Sequence, residues 1–361
     1  MRIGIDASRL RGGMSGIGRY IYNLLAPLDA ELPAAKFFLY TRSGFKLSLP
    51  SERWVLRCDA HPVWSRLPTV FWTRFRMGAL ARKDELDVFW AANTLLPLGI
   101  GVVPCVATIY DLNHLLAPET MAPLTRFAYR AWFAQAVHSA NYRVAISHGT
   151  SSRLQSTFGR PADGVALPAI PFRGALPTKE EAERTLQRLD VSKPYILTVG
   201  TQEPRKNLGA VVHALASQKE QGHLARHQLV VAGAAGWGGK SRKDAQLMQS
   251  AWIKPMGYVE DRTLVALYML ADAFVFPSVY EGYGIPVSEA LAYGCPVVAT
   301  DMPELKEAGG PGAVYVEPTP LGIGQGLDAV LTMPRPSPRS PTHDWSTAAM
   351  VMAEAFRRAA N

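Results

Sequence analysis

The chain has 361 residues, long enough for two domains of ordinary size. Hydrophobic residues at 48% and charged residues at 19% give a globular composition and exclude a disordered chain. The net charge of +8 fits an anionic partner, whether nucleotide, phospholipid surface or nucleic acid, and equally an ordinary basic soluble protein.

In chain order, Arg2–Asp6 reads as a strand, followed by the Gly-rich loop Gly12–Gly18 and a helix to about Leu28. The opening MRIGIDASRL is too polar and too short for a signal peptide. Phe37–Tyr40, Trp54–Arg57, Asp87–Trp90, Pro104–Ile109 and Tyr142–Ile146 continue the strands, with a helix near Met121–Ala140 between the last two. From Val88 to Tyr110 there is no charge, a length that could span a bilayer. Pro97, Gly99, Gly101 and Pro104 interrupt it, so two buried strands joined by a loop account for it better.

Residues 160–178 turn Pro- and Gly-rich and read as a linker. The alternation then restarts with the strand Tyr195–Gly200, the helix Lys206–Lys219 and the strand Gln228–Gly233. The helix Thr263–Ala271, strand Ala273–Pro277, helix Pro286–Gly294 and strands Pro296–Thr300 and Ala313–Val316 follow. Met333–Pro341 is a loop, and a helix from Trp345 to Arg358 closes the chain. Alternation of this kind predicts two doubly wound parallel sheets, whose ligands sit at the carboxyl ends of the strands. A cleft with those ends facing each other is the expected binding site. Cys58, Cys105 and Cys295 are far apart and read as buried thiols in a reducing compartment.

Four segments carry chemistry. In residues 277–300 a strand ends at Pro277, a turn holds Gly282 and Gly284, and a helix follows with Pro286 in its first turn. Free amides there, at Tyr283, Gly284 and Ile285, can bind a diphosphate or sugar hydroxyls. Glu281 and Glu289 flank this anion site, an arrangement that suits hydroxyls at both ends of a nucleotide sugar. A capping Glu281 and a solvated Glu289 are the structural alternative. In residues 198–215, Arg205 and Lys206 stand where a helix dipole disfavours cations, which makes sense with a diphosphate between them; a solvated basic turn is the alternative. In RGGMSGIGRY, Gly16 and Gly18 allow close backbone approach, but the third glycine of a dinucleotide fingerprint is missing. In ATIYDLNHLLAPE, Tyr110 and Asp111 fall at a strand's carboxyl end, pointing into the cleft, where Asp111 could orient a hydroxyl, act as a base or cap a turn.

These pieces, GIGRY, YDLNHLLAPE, GTQEPRKNL, YEGYGIPVSEALAYGCPVVAT and the Asp344-Trp345 helix, resemble in order the retaining GT-B glycosyltransferases. The likeness is closest to bacterial mannosyl- and rhamnosyltransferases of cell-surface polysaccharide assembly. It implies a GT-B fold with an acceptor domain over residues 1–170, a donor domain over 178–340, and a final helix over 341–361 returning to the first domain. It further implies a nucleotide-sugar donor, GDP-linked by that likeness, and a saccharide or polyprenyl-linked acceptor, with transfer in the cytoplasm or at the inner membrane face. Arg205 and Lys206 match the family's diphosphate clamp, Glu281 the residue holding the donor sugar, and Glu289 the one holding the ribose. Gly257, Tyr258 and Val259 resemble the loop against the base. No cofactor or metal is expected, since the clamp takes the place of a divalent ion. Tyr110 stands where many members carry a histidine, with His114 as a nearby substitute.

Residues 64–83 are basic and aromatic without an acidic residue, and fit either an anionic membrane face or a surface helix packed on the first sheet. An oxidoreductase lacks its fingerprint here, and no nucleic-acid-binding signature accompanies the basic residues.

Overall fold

Among the described residues, short runs of apolar residues, many of them β-branched or aromatic, form thirteen strands, and every pairing between them is parallel. The computed structural model describes residues 1–10, 16–42, 44, 47–170, 176–234, 236, 247–338 and 343–361. They divide into two units, one of Met1–Pro171 with Thr342–Asn361, the other of Phe172–Pro341.

In the first unit the strands are β1 (Arg2–Asp6), β2 (Lys36–Thr41), β3 (Trp54–Cys58), β4 (Val88–Ala91), β5 (Cys105–Ile109), β6 (Tyr142–Ala145) and β7 (Gly164–Val165). Their order is β3-β2-β1-β4-β5-β6-β7. The helices are α1 (Gly16–Glu31), α2 (Pro62–Arg66), α3 (Thr69–Phe75), α4 (Met77–Ala81), α5 (Asn113–Leu116), α6 (Pro123–Ser139) and α7 (His148–Phe158). The central strands β4 and β5 are buried along their whole length, so their sequences read as unbroken apolar runs. The charge-free stretch is therefore two strands and a loop, and among the described residues no helix is long and apolar enough to cross a membrane. The final helix, Trp345–Ala360, begins with the Asp344 carboxylate accepting from the Thr347 amide and packs on α1. Trp345 meets Tyr20 edge-on, and Phe356 lies against Trp90.

In the second unit the strands are β8 (Tyr195–Val199), β9 (Gln228–Ala232), β10 (Ile253–Gly257), β11 (Ala273–Phe276), β12 (Val297–Thr300) and β13 (Ala313–Val316), in the order β10-β9-β8-β11-β12-β13. Its helices include α8 (Lys179–Arg188) and α9 (Leu208–Glu220), then Asp261–Leu270, Ile285–Ala292, Pro303–Gly309 and Pro320–Thr332. α8 opens with a reciprocal capping box between Thr178 and Glu181.

Several expectations change. The stretch 160–178 is not linker throughout, because Gly164 and Val165 pair with Val144 and Ala145 as a seventh strand. Its residues 171–175, like residues 11–15 of the Gly-rich loop, lie outside the described residues. Lys206 belongs to a short 3-10 turn, Pro204–Lys206, and α9 starts only at Leu208, since Asn207 takes a left-handed φ of 52° between them. Cys58 is exposed, because it ends the edge strand β3, whereas Cys105 and Cys295 are buried and burial pushes their thiols up to about 12.

Residues 64–83 are not one amphipathic helix either. They fold as α2, α3 and α4, and part of their polar and aromatic content faces inward. Trp72 is fully buried with its indole N–H on the Asp59 carboxylate, Arg74 is buried with its guanidinium on the Leu96 carbonyl, and Arg76 pairs with Asp59.

Candidate active site

In each sheet the chain winds one way from one central strand and the opposite way from its neighbour. The loops that leave such a switch point diverge and leave room for a ligand outside the strands' carboxyl ends. In the second unit the switch lies between β8 and β11. The loop after β8 carries Arg205 and Lys206, and the loop after β11 carries Glu281.

These loops meet. The Lys206 ammonium donates to the Glu281 carboxylate at 2.6 Å, and the Arg205 guanidinium reaches the same oxygen at 2.6 Å. Arg205 also donates to the Tyr280 carbonyl and lies 3.4 Å from the Glu203 carboxylate. The backbones are tied as well: the Val279 amide donates to the Arg205 carbonyl, and the Asn207 side-chain amide donates to the carbonyls of Pro277 and Pro318. Lys206 also stands over the Phe276 ring, 4.5 Å from its centroid. Glu281 is 8% exposed, so it is not a solvated capping residue. Burial works against its charge, yet Arg205 and Lys206 outweigh burial and hold the carboxyl down at about 2. Burial lowers the Lys206 ammonium, with Glu281 opposing.

Four residues past Glu281 the helix Ile285–Ala292 begins. Gly284 caps it with φ 112°, a conformation suited to glycine, and Pro286 occupies its first turn. Pro286 has no N–H and the Val287 amide turns back to the Gly284 carbonyl, so Ile285 carries the first-turn amide left without a helical partner, at the same end of the sheet. A Cβ on Gly284 would lie 2.5 Å from the Leu305 side chain, so the turn is closely packed. Tyr283 beside it is buried. One turn into the helix, Glu289 is 6% exposed and accepts from the Tyr268 hydroxyl at 3.3 Å, so it too departs from a solvated helix face. Tyr268 stacks with Tyr293, which fixes the ring that holds this carboxylate.

The same end of the sheet is built from glycines. Gly200 after β8 and Gly233 after β9 have φ of 143° and 147°, and a Cβ on Gly233 would fall 2.0 Å from the Gly200 carbonyl oxygen. The Gly233 amide donates to the Gly257 carbonyl at 2.7 Å, which places residues 257–259 beside these loops. Tyr258 is 60% exposed and Val259 half-buried. Sequence reasoning missed Ser278, which is fully buried and whose hydroxyl lacks a protein partner. Its place between Pro277 and Glu281 was the available signal.

In the first unit the switch lies between β1 and β4. Gly16 and Gly18 follow the loop after β1; Gly16 is exposed and Gly18 buried. Tyr110 is a correction: it does not point outward. It is 8% exposed, its hydroxyl donates to the Ala92 carbonyl at 2.9 Å, and its ring meets Tyr20 edge-on. Asp111 is half-buried and accepts from the Asn113 amide, closing a turn. His114 does not substitute for an outward group, because it is 2% exposed and packs on Phe133 at 4.2 Å; burial lowers its imidazole to about 4. The residues that do stand at this switch are Arg9 and Asn93, which sequence reasoning passed over. Arg9 is half-buried and donates to the Asn93 side-chain oxygen at 3.2 Å, while Asp6 lies buried at the end of β1. Asn93 is fully buried, and its amide nitrogen lacks a protein partner. Position at the ends of β1 and β4 was their only signal.

The second unit carries the match that names the family. Residues 179–346 match the family model described as glycosyl transferases group 1. Over these residues, just under half of its length, the chain belongs to this family. It is a retaining hexosyltransferase with two Rossmann-like sheets of the GT-B class. This glycosyltransferase is 29% identical over 340 residues to O-antigen chain mannosyltransferase B of Escherichia coli, covering 88% of this chain and 87% of that one. It is 22% identical over 214 residues to O-antigen chain mannosyltransferase RfbU of Salmonella typhimurium, covering 58% of this chain and 56% of the relative. Among solved structures it is similar to WaaG, a glycosyltransferase involved in lipopolysaccharide biosynthesis, with a TM-score of 0.67 at 17% identity over 99% of this chain and 94% of the other. Sucrose-phosphate synthase from Thermosynechococcus elongatus superposes with a TM-score of 0.70 at 15% identity, over 99% and 94% of the two chains. At such identities the glycosyltransferase shares a fold with these structures, and the fold alone.

Proposed function

We propose that this glycosyltransferase moves mannose from a GDP-linked donor onto a saccharide or lipid-linked saccharide acceptor in the assembly of a surface polysaccharide. The observation that carries the donor half is the pairing of Arg205 and Lys206 with Glu281 at the switch point of the second unit. The names of the two mannosyltransferase relatives support the choice of sugar.

Breaking the anomeric bond leaves positive charge on the sugar and negative charge on the departing diphosphate. Arg205 and Lys206, with the amides at Tyr283, Gly284 and Ile285, stabilise the second charge, because they are fixed in place before it develops. Glu281 holds the two cations in register, and its remaining lone pairs accept from hydroxyls of the donor sugar. Glu289 accepts from the ribose hydroxyls, and Gly257, Tyr258 and Val259 lie along the base. In the first unit Arg9 and Asn93 take the acceptor, with Asp111 orienting a hydroxyl. Tyr110 serves the packing of the first unit.

The test is transfer itself. Purified protein is offered GDP-mannose and, separately, UDP- and dTDP-linked hexoses with an oligomannose acceptor, and the product linkage is read by NMR. Transfer from GDP-mannose with retained α configuration is expected. Transfer from another donor in its place overturns the choice of sugar and base.

A further inference from the structure

The net positive charge of this chain lies outside the unit that carries the donor site. Residues 1–171 hold 19 Lys and Arg against 11 Asp and Glu, whereas residues 172–361 hold 19 against 19. The whole excess of +8 therefore lies in the first unit's main segment. Within it, residues 60–83 and 120–162 contain no acidic residue. These two stretches supply α2, α3 and α4 on one side and α6 on the other.

The stretches come together through aromatic rings. Phe71 and Phe75 of α3 both meet Trp132 of α6 edge-on, with centroids 5.8 and 5.4 Å apart, and the buried Arg74 guanidinium stands over Trp132. The loop after β4 joins them, since the Leu98 amide donates to the Arg74 carbonyl. Large apolar side chains exposed on these elements include Val63, Phe75, Leu98, Val102, Leu124 and Phe127. Phe127 is 62% exposed although it lies in the second turn of a regular helix, so folding of the chain does not account for it. Exposed cations stand on the same elements or next to them, at Arg66, Arg82, Lys83 and Arg130. The Arg82 stem reaches within 4.0 Å of where a Cβ on Gly101 would lie, so it covers the same loop.

We propose that this face of the first unit docks on an anionic lipid bilayer, with Phe75, Leu124 and Phe127 entering the headgroup boundary and the surrounding cations meeting lipid phosphates. Exposed aromatic and aliphatic side chains beside a surplus of cations have the chemistry of an interfacial membrane contact, with the exposed Glu85 and Glu119 at the edges of the two acid-free stretches. A nucleic acid would pair with the cations but leave the exposed apolar side chains without a partner. The surface differs from the simple basic segment 64–83, because Trp72, Arg74 and Arg76 are used inside the unit and α6 supplies much of the apolar area.

Vesicle sedimentation of the full chain tests this. Binding is expected to vesicles of phosphatidylglycerol mixed with phosphatidylcholine, to fall with salt, and to be weak on phosphatidylcholine alone. The double variant Arg82→Gln/Lys83→Gln should lower partitioning about fivefold for each charge removed. Leu124→Ser/Phe127→Ser should lower it at least as much while leaving the salt dependence in place. Lys179→Gln/Lys193→Gln, equal in charge change and carried by the second unit, should have little effect. All six positions are exposed, so thermal melts of the variants should match wild type. Equal binding to both vesicle types, or face variants that bind like wild type, would overturn the proposal. So would a concentration-dependent dimer lost in Leu124→Ser/Phe127→Ser, which would make the face a contact between copies of the chain.

Discussion

One oxygen of Glu281 lies 2.6 Å from the Arg205 guanidinium and 2.6 Å from the Lys206 ammonium, so a single buried carboxylate gathers two cations from a loop 75 residues away. The sheet order makes this possible, because β8 and β11 are neighbours although β9 and β10 intervene in sequence.

If Lys206 stabilises charge on the departing diphosphate, Lys206→Ala should lower kcat by about 10²–10³. Lys206→Arg should recover part of that loss. Steady-state kinetics with saturating acceptor measures both, and near-wild-type turnover of the alanine variant would remove Lys206 from the chemistry.

Glu281→Gln leaves Lys206 without its counter-charge and Arg205 with Glu203 alone, and should destabilise the fold by about 3–5 kcal/mol in urea titrations at neutral pH. The pH dependence has a definite sign. The folded carboxyl, at about 2, lies below its ordinary value of 4.5, so its contribution is fully present above about pH 4.5 and is lost as pH falls toward 2. The gap between wild type and Glu281→Gln should be constant from pH 7 to about 5 and close below that. A gap independent of pH down to 3 would contradict the pairing.

His114 works the same way at higher pH. Burial holds its folded imidazole at about 4, below the ordinary 6.5, so the unfolded chain binds the proton first. Its stabilising contribution is full above about pH 6.5 and declines as pH falls toward 4. His114→Phe, which keeps the packing on Phe133, should flatten the fall of Tm over that range. An unchanged pH profile would show that other groups govern it.

Gly284→Ala forces a Cβ into a left-handed backbone and against Leu305. The backbone term alone should cost about 1–3 kcal/mol, since the Leu305 tip can give way. Donor KM should rise as the turn shifts, while acceptor KM holds. In contrast, Arg9→Gln should raise acceptor KM and leave donor KM unchanged.

Much of the second unit was legible in its sequence because its signals are local. A strand, a glycine turn, Pro286 and a helix follow each other within a few residues, and in the structure Glu281 of that turn meets Arg205 and Lys206. The first unit was harder because side-chain direction there depends on distant partners. Tyr110 looks outward by its strand position, yet the Ala92 carbonyl on the neighbouring strand's loop and the ring of Tyr20 turn it in. Trp72 and Arg74 look like surface residues until Asp59 and Leu96 are seen to receive their N–H groups. Arg9 and Asn93 carry no motif, and only the sheet order places them at a switch point.

Binding of GDP by isothermal titration calorimetry, with guanosine as the uncharged reference, tests the diphosphate grip most directly. Arg205→Gln and Lys206→Ala should each weaken GDP about tenfold or more, the scale of a lost charge-assisted hydrogen bond, and leave guanosine unaffected. Equal GDP affinity in wild type and both variants would contradict the account.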